Sequence, residues 1–274
     1  MNPIYPADVP LRIAFVGWGA IARRVAGLLA ERNAGAIEIV AICARSAAAP
    51  PDLPDGVAVV SDPDELAQVK PHLVIEAAGR AAVSQWAEAA LRHAPALAVV
   101  STSALCDADL LDRLLAVAER HGSRLLITPG ALAGIDALAA ACTLGLDEVV
   151  HKIVKPPVAW MGTGAEARVP LAALTGAVTF FEGSAREAAE AYPENANVAV
   201  ITALAGIGLD RTRVHLVADP AAEGNRHELH AVGAFGRLDV RIENRPLREN
   251  PKSSEMAALG LVRLVENLKN HLVI

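Results

Sequence analysis

The sequence predicts an α/β protein of two domains, a doubly wound parallel sheet followed by a smaller α+β unit with a mixed or antiparallel sheet. Three observations predict it. An apolar strand, Arg12-Ile-Ala-Phe-Val16, breaks at Gly17 and Gly19 and runs straight into a helix. Short apolar runs then alternate with amphipathic segments as far as Ala131, a βαβα order. From about Asp147 the pattern changes to strands with less regular connections. It closes on 225–243, which alternates around Gly233 and Gly236 as an antiparallel pair with one solvated face does. The domains read as 1–134 and 135–251, with an amphipathic helix after them.

The first strand and helix carry the pattern Gly-x-Gly-x-x-Ala of a Rossmann-type dinucleotide site. Gly17 permits the tight turn out of the strand, Gly19 lets the backbone approach a pyrophosphate, and Ala22 is small where helix packs on strand. Phosphates would sit at the helix start, at Ala20 and Ile21, where unpaired N–H groups and the helix dipole favour an anion. A second apolar strand, 37–44, arrives about twenty residues later, as this motif requires. It is followed by Arg45 and Ser46, where sites that prefer NAD often carry an acid for the adenosine ribose. Arg45 reads either as tolerance of a 2′-phosphate, hence use of NADP as well as NAD, or as a solvated loop charge.

An Ala- and Pro-rich loop, 47–56, precedes Ser61-Asp-Pro-Asp-Glu65, which has the capping residue, early proline and acids of a helix start. The strand and turn of 72–79, the helix 81–93, the strand 97–103, the helix 107–121 and the strand 124–131 complete the unit. Ala78 and Gly79 fall where a strand's carboxyl end meets the cofactor crevice, as do the residues from Ser101 to Ser103. Small residues there leave room for a ligand and are also ordinary at strand-to-helix turns. The turn 130–134 leads into a helix from Ile135. Its Gly- and Ala-rich backbone suits contact with a nicotinamide or plain helix capping.

In the second domain, Pro193-Glu-Asn-Ala-Asn197 starts polar and continues as an apolar helix, so one of Asn195 and Asn197 is expected to cap it and the other to reach a ligand. His227 and His230 stand three apart in a strand. They point to opposite faces, so at most one can enter a cleft, and composition does not say which. Lys155, Ser184 and Arg186 are candidates for a substrate anion, or solvated charges and caps.

Charge and composition narrow the partners. The 274 residues carry 25 basic and 31 acidic side chains, a net −6, with no Lys/Arg cluster, which points away from nucleic acid and toward a small molecule. No apolar stretch reaches the ~20 residues of a membrane span, and the first ten residues lack the basic start and apolar run of a leader. The three cysteines, Cys43, Cys106 and Cys142, have no metal-like spacing, which fits packing roles in a reducing cytoplasm. No G-x-S-x-G or H-E-x-x-H motif is present, which argues against a serine hydrolase or a zinc enzyme.

Taken in order, Gly17-Trp-Gly-Ala-Ile21, Thr128-Pro-Gly-Ala-Leu-Ala-Gly-Ile-Asp136, Lys155-Pro-Pro157, Phe181-Glu-Gly-Ser-Ala-Arg-Glu-Ala188, Asn195-Ala-Asn-Val-Ala199, Leu204-Ala-Gly-Ile-Gly-Leu-Asp-Arg-Thr212 and Asn225-Arg-His-Glu-Leu-His-Ala-Val-Gly-Ala-Phe-Gly236 resemble the NAD(P)-dependent L-aspartate dehydrogenases over nearly the full chain. Trp18 departs from the smaller residue usual there. The resemblance implies that Ala131 and Asn197 contact the cofactor and that His227 is catalytic. It implies that the helix 252–274 completes the first domain, and that the second domain forms a homodimer. The implied reaction is oxidation of L-aspartate to iminosuccinate, which is hydrolysed to oxaloacetate and ammonia or feeds NAD biosynthesis. Two other readings remain open: a reductase of another imine or oxo dicarboxylic acid, such as a dihydrodipicolinate-type compound, and a non-catalytic NAD(P) sensor.

Overall fold

The computed structural model describes residues 9–33, 35–45 and 48–273. Ser46, Ala47 of the following loop, and most of the first ten residues lie outside the described residues. The chain divides into two compact units, one running to Thr128 and resuming at Ala258, the other Pro129–Ala257.

The first unit is a six-stranded parallel sheet in the order β3-β2-β1-β4-β5-β6. Its strands are β1 (Leu11–Val16), β2 (Ile37–Cys43), β3 (Ala58–Val60), β4 (Leu73–Glu76), β5 (Ala96–Val99) and β6 (Arg124–Ile127). Between them run α1 (Ala20–Arg32), α2 (Leu66–Val69), α3 (Arg80–His93) and α4 (Ala108–His121). Side chains of a strand alternate between faces, and here both faces are covered, so the strands are apolar almost throughout. Ala14 and Val16 share a buried cluster with Trp86 of α3 and Leu114 of α4. Leu11, Ile13 and Phe15 face the other way, onto Val25 and Leu29 of α1 and onto Leu261 and Val265 of the last helix. Strand order reverses between β1 and β4, which leaves a crevice at their carboxyl ends.

Three expected elements end early or start late. The strand begun at Leu97 stops at Val99, because Ser101 turns back to bind Glu76 and a short 3-10 helix, Thr102–Cys106, follows. β6 stops at Ile127, before Thr128 and Pro129; proline has no N–H to continue a ladder. The last helix starts at Glu255, the residues before it having formed a two-stranded ribbon.

The second unit is a five-stranded mixed sheet in the order β11-β10-β7-β9-β8. It comprises α5 (Ile135–Ala141), β7 (Leu146–Lys155), β8 (Val178–Ser184), α6 (Ala185–Ala191), α7 (Asn197–Ala205), β9 (Arg213–Ala218), β10 (Asn225–Gly233) and β11 (Gly236–Asn244). A ribbon of β12 (Pro246–Leu247) and β13 (Asn250–Ser254) leads to α8 (Glu255–Lys269). β7 runs parallel to β9, and the other neighbours are antiparallel. Leu138 of α5 packs with Val149, Leu229 and Ala231 on one face of this sheet. The opposite face carries charged pairs, with Lys152 3.5 Å from Glu228 and His230 2.7 Å from Asp239.

Candidate active site

In the first unit the site is made of backbone. Gly17 has φ +87°, and a Cβ there would stand 2.6 Å from that of Ala78, so the turn after β1 meets the turn after β4 with no space for a side chain. Gly19 precedes α1 in an extended conformation with open space before it. No side chain caps this helix and its first turn holds no acid. The N–H groups at Ala20 and Ile21 are thus left to an anion, and these residues fit the pyrophosphate of a dinucleotide. Across the crevice, Gly79 has φ +121°. The N–H groups of Ala78 and Gly79 donate to Glu76 Oε1 at 2.7 and 2.8 Å, and Ser101 binds the same buried carboxyl through its N–H (3.0 Å) and hydroxyl (2.9 Å). These two residues offer a ligand their shape and carbonyls, because their donors are taken. Arg45 is exposed beyond the end of β2.

In the second unit the site is made of buried side chains. His227 pairs with Ile153 across β10 and β7, which puts His151 and Lys155, two residues either way along β7, on the same covered face. His227 and His151 are both buried, with His227 Nδ1 3.3 Å from His151 Nε2. Behind them, Thr202 Oγ1 of α7 lies 3.0 Å from His151 Nδ1 and 3.0 Å from the carbonyl of Val198. Burial pushes His151 down to about 3. Burial, and then the charges of His151 and Lys155, hold His227 well below the ordinary imidazole range. Lys155 Nζ donates to Asn195 Oδ1 at 2.7 Å and sits 5.2 Å from the centre of the Trp160 ring. Burial, aided by the charge of Lys252, lowers it to about 8.

Ala131 is buried in the turn before α5, and its carbonyl accepts from the buried Asn244 Nδ2 at 2.8 Å. Gly130 beside it has φ +62° and would meet Ile201 of α7 with any Cβ, so this turn lies against α7. Asn197 is the first residue of α7, whose cap is Ala196 with no side-chain hydrogen bond. Neither asparagine caps the helix as expected, since the Asn195 amide is drawn to Lys155 instead. His230 faces the opposite side from His227, paired with Asp239.

Two expected anion ligands have other roles. Ser184 caps α6, accepting from the Glu187 N–H at 3.2 Å in a capping box. Arg186 makes a two-pronged contact with Asp210, at 2.6 and 3.0 Å. Ser184 pairs with Arg213 at one end of β9, whereas Lys155 pairs with Ala218 at the other, so the sheet separates Ser184 from Lys155. Sequence reasoning passed over His151, Thr202 and Asn244. The one legible sign was Val149-x-His151-x-Ile153, an alternation that puts a histidine among buried residues.

The family profile for the aspartate dehydrogenase C-terminal domain matches residues 136–268, and that for the NAD-binding domain of homoserine dehydrogenase matches 17–128. The chain is 55% identical to an L-aspartate dehydrogenase of Brucella anthropi over 93% of this chain and 95% of that one. It is 41% identical to one of Serratia proteamaculans, over 94% and 97%. The crystal structure of aspartate dehydrogenase from Thermotoga maritima superposes with a TM-score of 0.77 at 25% identity, covering 97% of this chain and all of that one. With relatives of up to 55% identity over nearly its full length and the matching C-terminal profile, the chain belongs to the aspartate dehydrogenase family.

Proposed function

We propose that this chain oxidises L-aspartate at its α-carbon with NAD or NADP, using His227 as general base and Lys155 as a carboxylate ligand. The observation that carries this is the placement of a buried histidine and a buried lysine on one face of one sheet. Burial keeps His227 unprotonated before substrate arrives. The two carboxylates of aspartate then favour its protonated form, so basicity rises when it is needed. His227 takes the ammonium proton, freeing the nitrogen lone pair to form a C=N bond as the α-hydrogen leaves with its electron pair. Bound NAD(P) supplies the acceptor for that hydride. Lys155, steadied by Asn195, neutralises one carboxylate, and Lys252 adds a second positive charge for a dicarboxylate. Asn197 and Ala131 orient the nicotinamide, Ala131 through a turn that Asn244 pins.

The product is iminosuccinate, which adds water to give oxaloacetate and ammonia, or leaves intact toward NAD biosynthesis. A homodimer through the second unit, in the cytoplasm, is the setting the family resemblance supports. Sedimentation at micromolar concentration should give about twice the chain mass, and a fully active monomer would remove the dimer from the proposal. The reaction itself is tested by absorbance of the reduced nicotinamide with L-aspartate, D-aspartate and L-glutamate. Reduction of both cofactors by L-aspartate alone is expected; reduction by another of the three in its place would overturn the substrate assignment.

A further inference from the structure

We propose that His151 and Thr202 are positioning residues that fix the tautomer of His227, holding its proton on Nδ1 so that the lone pair stands on Nε2. The inference rests on the reading of His227 as the base, and it follows from counting donors along a buried chain. A carbonyl oxygen only accepts, so the single hydroxyl proton of Thr202 goes to the carbonyl of Val198, four residues earlier in α7. Thr202 Oγ1 therefore accepts from His151 Nδ1, 3.0 Å away. A neutral imidazole has one N–H. With that proton on Nδ1, His151 Nε2 accepts, and the partner 3.3 Å from it, His227 Nδ1, donates. The remaining nitrogen of His227, Nε2, is left with a lone pair, the form a general base requires.

The arrangement does for a base what an outer hydrogen-bond partner does for a metal-bound histidine, setting ring orientation and tautomer from behind. All three residues are buried, and two sit on adjacent strands while the third comes from the helix packed over them. The titratable groups that face His227 among the described residues are His151 and Lys155, both of β7. Lys155, whose charged ammonium carries no acceptor, does not compete with His151 for the proton on His227 Nδ1.

The test is ¹⁵N NMR of histidine-labelled protein at pH 7.5, read beside the kinetics of Thr202→Val, His151→Leu and His151→Gln. In the parent, His227 should show a protonated Nδ1 and an unprotonated Nε2. Thr202→Val keeps the shape and removes the hydroxyl. It should move part of the His227 signal toward the Nε2–H tautomer and lower kcat about 3- to 10-fold, the scale of one net hydrogen bond, with KM for L-aspartate unchanged. His151→Leu should lower kcat further, and His151→Gln, whose amide oxygen can accept from His227 Nδ1, should restore part of it. A parent His227 found as the Nε2–H tautomer, or a His227 signal unmoved in both Thr202→Val and His151→Leu, would overturn the proposal. Because the NMR readout is independent of turnover, an inactive role for His227 would show instead as full activity in His227→Ala with the tautomer as described.

Discussion

The two units build their candidate sites from opposite materials. The first unit offers backbone: an uncapped helix start, a glycine at φ +87° pressed against Ala78, and a buried carboxyl of Glu76 that fixes the neighbouring turn. The second offers side chains from β7, β10 and α7, converging over sequence separations of 76 and 51 residues. The difference teaches where each site's sensitivity lies. At Gly17 the backbone leaves no space for a methyl group, whereas the proposed chemistry of the second unit turns on which nitrogen of a buried histidine carries a proton.

The largest effect that would break this comparison is at His227. His227→Ala should lower turnover by on the order of 10²–10⁴-fold, the range for loss of a general base, while His230→Ala, which removes one of the outer-face partners of Asp239, changes it little. Equal losses in the two variants would move the chemistry away from the covered face.

Lys155 comes next. Lys155→Met should lower kcat/KM for L-aspartate by about 10- to 100-fold at pH 7, the scale of a hydrogen bond to a charged group. Burial lowers this lysine to about 8, so the parent loses its positive charge as pH rises through that value. The ratio of parent to variant should therefore shrink above pH 8, and the ionisation of aspartate itself cancels from it. A ratio that stays constant to pH 10 would mean that Lys155 charge does not meet substrate.

Acid should separate the units by stability. The folded-state value of His151 lies far below that of the unfolded chain, and His227 shifts the same way. Between the unfolded value of about 6.5 and the folded ones, the unfolded state binds more protons, so stability is full above 6.5 and is lost as pH falls. For His151 this amounts to on the order of 2 kcal/mol at pH 5. Among the described residues of the first unit, the half-buried His72 is shifted in this direction, and Glu266, held down by its hydrogen bond from Arg32, loses its contribution only at lower pH, below the ordinary carboxylate value of 4.5. Hydrogen exchange corrected for intrinsic rates should therefore rise in β7 and β10 between pH 7 and 5 before it rises in β1 and β4. Earlier opening of β1 would contradict the assignment.

The smallest effect expected is at the exposed Arg45, where Arg45→Ala should shift the ratio of NADP to NAD efficiency toward NAD by a few-fold, on the order of one exposed charge contact. An unchanged ratio would leave Arg45 as a loop charge.

The same contrast explains what could be read from the chain. The nucleotide unit is local: Gly17 to Ala22 carries its own logic within six residues, and strands buried on both faces announce themselves as apolar runs. Where that reading slipped, a tertiary partner intervened, as when Ser101 turned toward Glu76 and ended the strand after Val99. The second site is nonlocal. Strand alternation alone separated His227 from His230 onto opposite faces, and the family resemblance chose between them. No pattern within β7 shows that His151 touches His227, since that depends on the register of β10 against β7. Arg186 looked available because Asp210, its partner, is 24 residues away across the α6–β9 connection. Ser184 was more legible, as Ser-Ala-Arg-Glu187 is a capping-box sequence.

The central claim is the division of labour between a backbone that binds and a histidine that moves a proton. It is tested most directly by measuring NADPH affinity and single-turnover hydride transfer in Gly17→Ala and His227→Ala side by side. A Cβ at residue 17 meets Ala78 in a left-handed backbone conformation, a strain of about 1–3 kcal/mol, so Gly17→Ala should lose NADPH affinity while retaining a near-parent rate once saturated. His227→Ala should bind NADPH as the parent does and transfer hydride from L-aspartate at least about 100-fold more slowly. If His227→Ala instead loses NADPH affinity and regains the parent rate at saturating cofactor, then His227 belongs to the binding surface and the division drawn here is wrong.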